Sequence, residues 1–181
     1  MKKALLIASV LFIAVITTAC INNIAVQELN NKAAELMEKG DYDSAVSRLQ
    51  ASLDLDSTMY ETYYNLGIAA TKAKKYDIAI KAFEDGLKIK SDYPNLYYSL
   101  GAAQASYSEA LLEENVINEE TQEIEKKNVS DEDKARAEEL KKAAVENLQK
   151  YLELAPNADD KTTVEELIKE YSELQTEETA E

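Results

Sequence analysis

Apolar residues in this chain fall three or four positions apart, the spacing that lays a single stripe along a helix. Ala79, Phe83 and Leu87 form one such stripe. The stripes also recur as a set. Gly40-Asp41-Tyr42-Asp43-Ser44-Ala45-Val46 returns as Lys74-Lys75-Tyr76-Asp77-Ile78-Ala79-Ile80. Tyr42 and Tyr76, Ala45 and Ala79, Leu49 and Phe83, and Leu53 and Leu87 are each 34 residues apart, and the same interval separates Leu29, Tyr63 and Tyr97, Leu66 and Leu100, and Gly67 and Gly101. Several columns in one register predict paired helices that stack on their neighbours. Gly40-Asp41 reads as the turn inside a pair. Glycine in mid-helix costs about 1 kcal/mol relative to alanine, so Gly67 and Gly101 predict places where helices approach too closely for a side chain.

These columns carry a large–small–aromatic signature that resembles the tetratricopeptide-repeat (TPR) family over residues 26 to 157. Tyr63-Tyr64-Asn65-Leu66-Gly67 and Tyr97-Tyr98-Ser99-Leu100-Gly101 are similar to the family's first helices. Repeat one departs from the pattern, with Ala33 in place of the usual Gly and Ser57 in place of the usual final Pro. The resemblance implies an all-α array of helical hairpins, with repeats over 26–59, 60–93 and 94–157. The third repeat is split. Ala144, Leu148, Leu152 and Pro156 lie 65 residues after Ala79, Phe83, Leu87 and Ser91, which is 31 more than one period. The excess predicts an acidic helical insert over about 105–135. Within it Glu109 to Glu114 continues the first helix, Asn115 to Val129 reads as a loop or short helix, and Ser130 caps a long second helix. Beyond Pro156, the capping box Thr163-Val164-Glu165-Glu166 and the spacing of Val164, Leu167, Ile168, Tyr171 and Leu174 predict a capping helix over 158–175. An acidic tail follows at 176–181.

The chain opens on Met1-Lys2-Lys3 and an apolar run from Ala4 to Ile16. A membrane-spanning helix needs about 20 such residues, so the run fits the core of a secretory signal over 1–19 instead. It closes with Thr17-Thr18-Ala19-Cys20, which resembles the bacterial lipobox, although Thr17 replaces the Leu more often found there. That resemblance implies lipidation of Cys20 and a short tether over 20–25. It places the chain in the cell envelope, held to the membrane by its lipid anchor. Ile21 after the cysteine favours the periplasmic face of the outer membrane where a bacterium has two membranes.

Composition narrows the chemistry. The chain has no His and one Cys, so the commonest general base and metal ligand is missing and no multi-cysteine metal site can form. No metal, cofactor or enzymatic activity is expected, since no phosphate-binding loop, nucleophile elbow or zinc spacing is present. The formal net charge is −15, and loss of Lys2 and Lys3 with the leader would deepen it. Such a surface repels nucleic acid.

What remains is binding. TPR arrays take ligands on the concave face lined by the first helix of each pair. By register that face includes Asn30, Asn31, Ala34, Glu61, Tyr64, Asn65, Ile68, Asn95, Tyr98, Ser99 and Ala102. The sharpest candidates for holding a protein or peptide are Tyr64, Asn65, Ile68, Tyr98 and Ser99, where aromatic area and amide groups coincide. A clamp for a C-terminal carboxylate would occupy Asn30, Ala34, Asn65, Asn95 and Ser99. Only Asn65 fits and no basic residue is present, so that mode is not expected. The resemblance thus implies a membrane-tethered adaptor in the envelope. The alternative is a self-associating structural subunit of an envelope assembly complex, such as one for barrels or pili.

Overall fold

The computed structural model describes residues 23–113, 115–117, 124–126 and 128–178. Among these the chain is a run of antiparallel helical hairpins. The first helix, α1, is described over 23–38. It is followed by α2 (Tyr42–Leu55), α3 (Tyr60–Lys72), α4 (Tyr76–Ile89), α5 (Pro94–Leu112), α6 (Asp131–Leu154) and α7 (Lys161–Glu178). Consecutive helices pack against each other, and α3 also touches α5, so first helices stack side by side. This is the all-α hairpin array that the 34-residue period implied.

Local sequence sets the helix ends. Asp41 caps α2 by accepting from the Ser44 backbone N–H at 3.2 Å, and Ser130 caps α6 by accepting from that of Asp133 at 3.0 Å. Pro94 opens α5 at a position where its missing N–H costs no bond. The turn after α1 closes with Asp41 N–H on Leu36 O and Gly40 N–H on Met37 O, with Gly40 at φ 77°. The turn after α3 repeats this with Lys75 N–H on Ala70 O and Lys74 N–H on Thr71 O. There Lys74, 34 residues after Gly40, holds φ 57° without glycine's freedom.

One continuous core runs through the first five helices. Ala45, Val46, Leu49, Leu66, Ala79, Phe83, Leu96 and Leu100 are all buried in it. Gly67 and Gly101 mark tight helix crossings. A Cβ on Gly67 would strike the Phe83 ring, and one on Gly101 would lie 3.0 Å from the Ala144 carbonyl and from Leu148. A second cluster closes the far end, where Leu148, Tyr151 and Val164 are buried with Tyr97, Tyr98, Leu167, Ile168 and Tyr171 packed around them.

The insert departs from the expectation of a helix or loop. Two three-residue strands, β1 (Asn115–Ile117) and β2 (Ile124–Lys126), pair antiparallel, with Ile117 opposite Ile124. β-branched Val116, Ile117 and Ile124 favour extended backbone over helix, and that preference outweighs the acidic, helix-prone flanks. The start of α7 also differs. Thr163 lies inside the helix rather than capping it, because α7 begins at Lys161 and Val164 N–H already bonds the Asp160 carbonyl at 3.0 Å. The helix then continues to Glu178, beyond the expected 175.

Candidate functional site

The first helices α1, α3 and α5 stack side by side, and a shallow cleft lies between α1 and α3. The cleft between α1 and α3 has a volume of about 270 Å³ and is lined by Asn30, Ala33, Ala34, Met37, Glu38, Leu49 and Asn65. Its floor is apolar and its rim carries two amides and one carboxylate. Asn30 and Thr62 join the two helices through a 3.0 Å bond from Asn30 Nδ2 to Thr62 Oγ1. The other end of that amide, Asn30 Oδ1, is buried and has no hydrogen-bond partner among the described residues. A buried acceptor left so costs about 1–3 kcal/mol.

Beside this cleft is an aromatic cluster. The Tyr64 ring centroid is 6.1 Å from that of Phe83 and 5.9 Å from that of Tyr93, edge to face with the latter. Tyr60 meets Tyr93 at 5.2 Å, also edge to face. Burial pushes the Tyr60 hydroxyl above its ordinary pKa, and the neighbouring Glu61 carboxylate adds to the shift. The group stays neutral across physiological pH, and its hydroxyl is hydrogen-bonded to Glu61.

The candidates named from the sequence divide. Tyr64, Asn65 and Ile68 come together on α3, where Asn65 faces the cleft while Tyr64 and Ile68 are half-buried against the core. Tyr98 lies further along, its ring 5.3 Å from that of Tyr151, within the packing that seats α6 and α7. Ser99 is only 8% exposed and presents little to a ligand. Cys20 lies outside the described residues. Asn30 and Ala34, from the wider set of lining positions, prove central to the cleft. Met37 and Glu38 were missed, although Met37 stands seven residues after Asn30 and so shares its stripe. Tyr60 and Tyr93 were also missed. The signal for Tyr93 was its place just before Pro94, in the linker that folds back over the preceding first helix.

Among the described residues no group of three or more His, Cys, Asp or Glu side chains is arranged to hold a metal ion, and no helix is long and apolar enough to cross a membrane.

The sequence of residues 36–105 matches the family model of the tetratricopeptide repeat. That stretch is a run of tetratricopeptide repeats. Its array is similar to the first TPR domain of human RPAP3, with 18% identity over 86% of this chain and 97% of that one and a TM-score of 0.60. The second TPR domain of human RPAP3, solved in complex with the HSP70 peptide SGPTIEEVD, shows 14% identity over 82% and 98% with a TM-score of 0.60. The Yersinia enterocolitica type III secretion chaperone SycD, solved with a peptide of the translocator YopD, gives 16% identity over 82% and 93% and the same TM-score. At these identities the likeness establishes the TPR fold. No curated protein matches the sequence.

Proposed function

We propose that this chain is a peptide- or protein-binding adaptor of the bacterial cell envelope, tethered to the membrane through Cys20. Several structural neighbours were solved with peptides bound, which supports recognition as the use of such an array. The observation that carries the reading is the α1–α3 cleft, where the amide side chains of Asn30 and Asn65 border an apolar floor. A partner segment with a small apolar side chain matches both features. The Asn65 amide meets its backbone, and Ala33, Ala34, Met37 and Leu49 take the side chain. Glu38 at the rim adds a preference for a basic group nearby.

The cleft lining contains no Lys or Arg. A chain-terminal carboxylate entering it would lose hydration without a compensating positive donor. The reading therefore favours an internal segment of the partner over an acidic C-terminal tail.

The test uses the full lipidated chain in membranes. A photoreactive side chain at Ala34 should crosslink a partner, and one at Ser47, exposed on the second helix of the same pair, should not. In a chain that carries the photoreactive side chain at Glu38 instead, Ala34→Trp fills the cleft from an exposed position and should abolish the adduct without changing the melting curve. Equal adducts from positions 34 and 47, or full capture by Ala34→Trp, would refute the inner-face assignment. Cys20→Ser tests the anchor, because unchanged membrane retention and mass would rule lipidation out.

A further inference from the structure

Among the described residues the exposed large apolar side chains are Ile24, Leu55 and Ile89, at 65%, 42% and 43%. All three lie on one edge of the array. Leu55 ends α2, and Ile89 ends α4 one period later in the chain. Ile24 lies in the first described turn of α1. Antiparallel pairing sets the start of each first helix beside the end of its second helix, so these positions share the edge that carries the linkers between repeats. The turns at Gly40 and Lys74 and the strands β1 and β2 belong to the opposite edge. None of the three apolar residues lines the α1–α3 cleft.

The carboxylates on the apolar edge are mostly hydrogen-bonded. Asp56 accepts from the Thr58 backbone and hydroxyl at 2.8 and 2.7 Å, Lys90 pairs with Asp92 at 2.7 Å, and the Tyr151 hydroxyl donates to Asp160 at 2.6 Å. Neutral donors leave Asp56 and Asp160 charged, and with the exposed Asp54 and Asp159 they make the edge negative.

We infer that this edge lies against a lipid surface of zwitterionic headgroups, with Ile24, Leu55 and Ile89 entering the interface. The inference rests on the reading of Cys20 as the acylated residue. Cys20 precedes Asn23 by three residues, and α1 is already helical at Asn23. At no more than about 3.6 Å per residue the link spans under about 11 Å, shorter than the tether over 20–25 expected from sequence. An acyl chain on Cys20 therefore pins the start of α1, and the edge that contains it, at the membrane. Three separate apolar side chains bind lipid weakly on their own, but tethering makes the contact intramolecular and raises its effective concentration. The residual negative charge selects against anionic headgroups. In this seating β1 and β2 face away from the bilayer.

The chain contains no Trp, so Leu55→Trp and Ile89→Trp each introduce a single reporter, and Lys39→Trp reports from the opposite edge. Full-length lipidated protein is placed in phosphatidylcholine vesicles with brominated acyl chains. Emission at positions 55 and 89 should be quenched and blue-shifted, and emission at 39 should be neither. If the protein mass shows acylated Cys20 and all three positions emit alike, the edge contact is overturned and the tether stands. A mass without the acyl group removes the tether and this inference together. Adding phosphatidylglycerol should weaken quenching at 55 and 89, and stronger quenching would overturn the zwitterionic assignment.

Discussion

The ring of Phe83 occupies the space that a methyl group on Gly67 would need. The two residues come from paired helices, α3 and α4, and Phe83 is fully buried, so the ring has no route into solvent. Gly67→Ala would gain about 1 kcal/mol in helix propensity, yet forcing the overlap costs about 1–3 kcal/mol or more in a packed core. The net expectation is a lower urea midpoint with an unchanged slope. Phe83→Leu should cost stability in the parent chain but recover part of the loss in the Gly67→Ala background. That non-additivity would show direct contact.

Lys74 gives the opposite sign. It adopts φ 57° in a turn whose counterpart one period earlier is Gly40. A left-handed conformation costs a side-chain-bearing residue about 1–2 kcal/mol, so Lys74→Gly should raise stability by about 1 kcal/mol. Gly40→Ala should lower it by a similar amount. Thermal melts of the two variants should shift in opposite directions.

Tyr151 provides a pH signature. Its hydroxyl bonds Asp160 at 2.6 Å, and that bond, followed by burial and the Asp160 charge, pushes its pKa up to about 12. The unfolded tyrosine titrates near 10. Because the folded value is the higher one, the contribution is fully present below pH 10 and is lost as pH rises toward 12. Its ceiling is about 2–3 kcal/mol. Tyr151→Phe should therefore be less stable than the parent chain at neutral pH, and the gap should close between pH 10 and 12. Denaturant titrations across that range measure it directly.

Arg136 links the extended third repeat to the second. Its Nη2 lies 2.8 Å from Asp77 Oδ1, and its guanidinium sits 5.1 Å from the centre of the Tyr107 ring. Tyr107 in turn stacks on Tyr76 at 5.4 Å. The pair is largely exposed, so a double-mutant cycle of Arg136→Ala with Asp77→Ala should give a coupling of only about 0.5–1 kcal/mol. Added salt should reduce it.

The helical array was legible because its evidence is repeated. Ala45 and Ala79, Leu49 and Phe83, and Gly67 and Gly101 each test the same register, so no single substitution hides it. The insert occurs once and has no column to compare with. There the local preference of Val116, Ile117 and Ile124 opposed the acidic flanks, and spacing alone could not rank them. The start of α7 was misplaced because Thr163 has the chemistry of a cap, while the position was decided by tertiary contacts, including the Tyr151 bond that holds Asp160. At the candidate site, register identified the face but not depth. Three of the positions it named, Asn30, Ala34 and Asn65, line the α1–α3 cleft. It could not show that Ser99 would be enclosed, or that the Tyr98 ring would rest on Tyr151.

The lengths of α5 and α6 have a mechanical consequence. At 1.5 Å per residue, their 19 and 24 residues span about 28 and 36 Å, against about 20 Å for the 13 and 14 residues of α3 and α4. Two stiff rods that overhang a shorter stack behave as a lever. The Arg136–Asp77 contact is a brace near its fulcrum, so a sideways load on the strands at the tip is transmitted as torque to the start of α4.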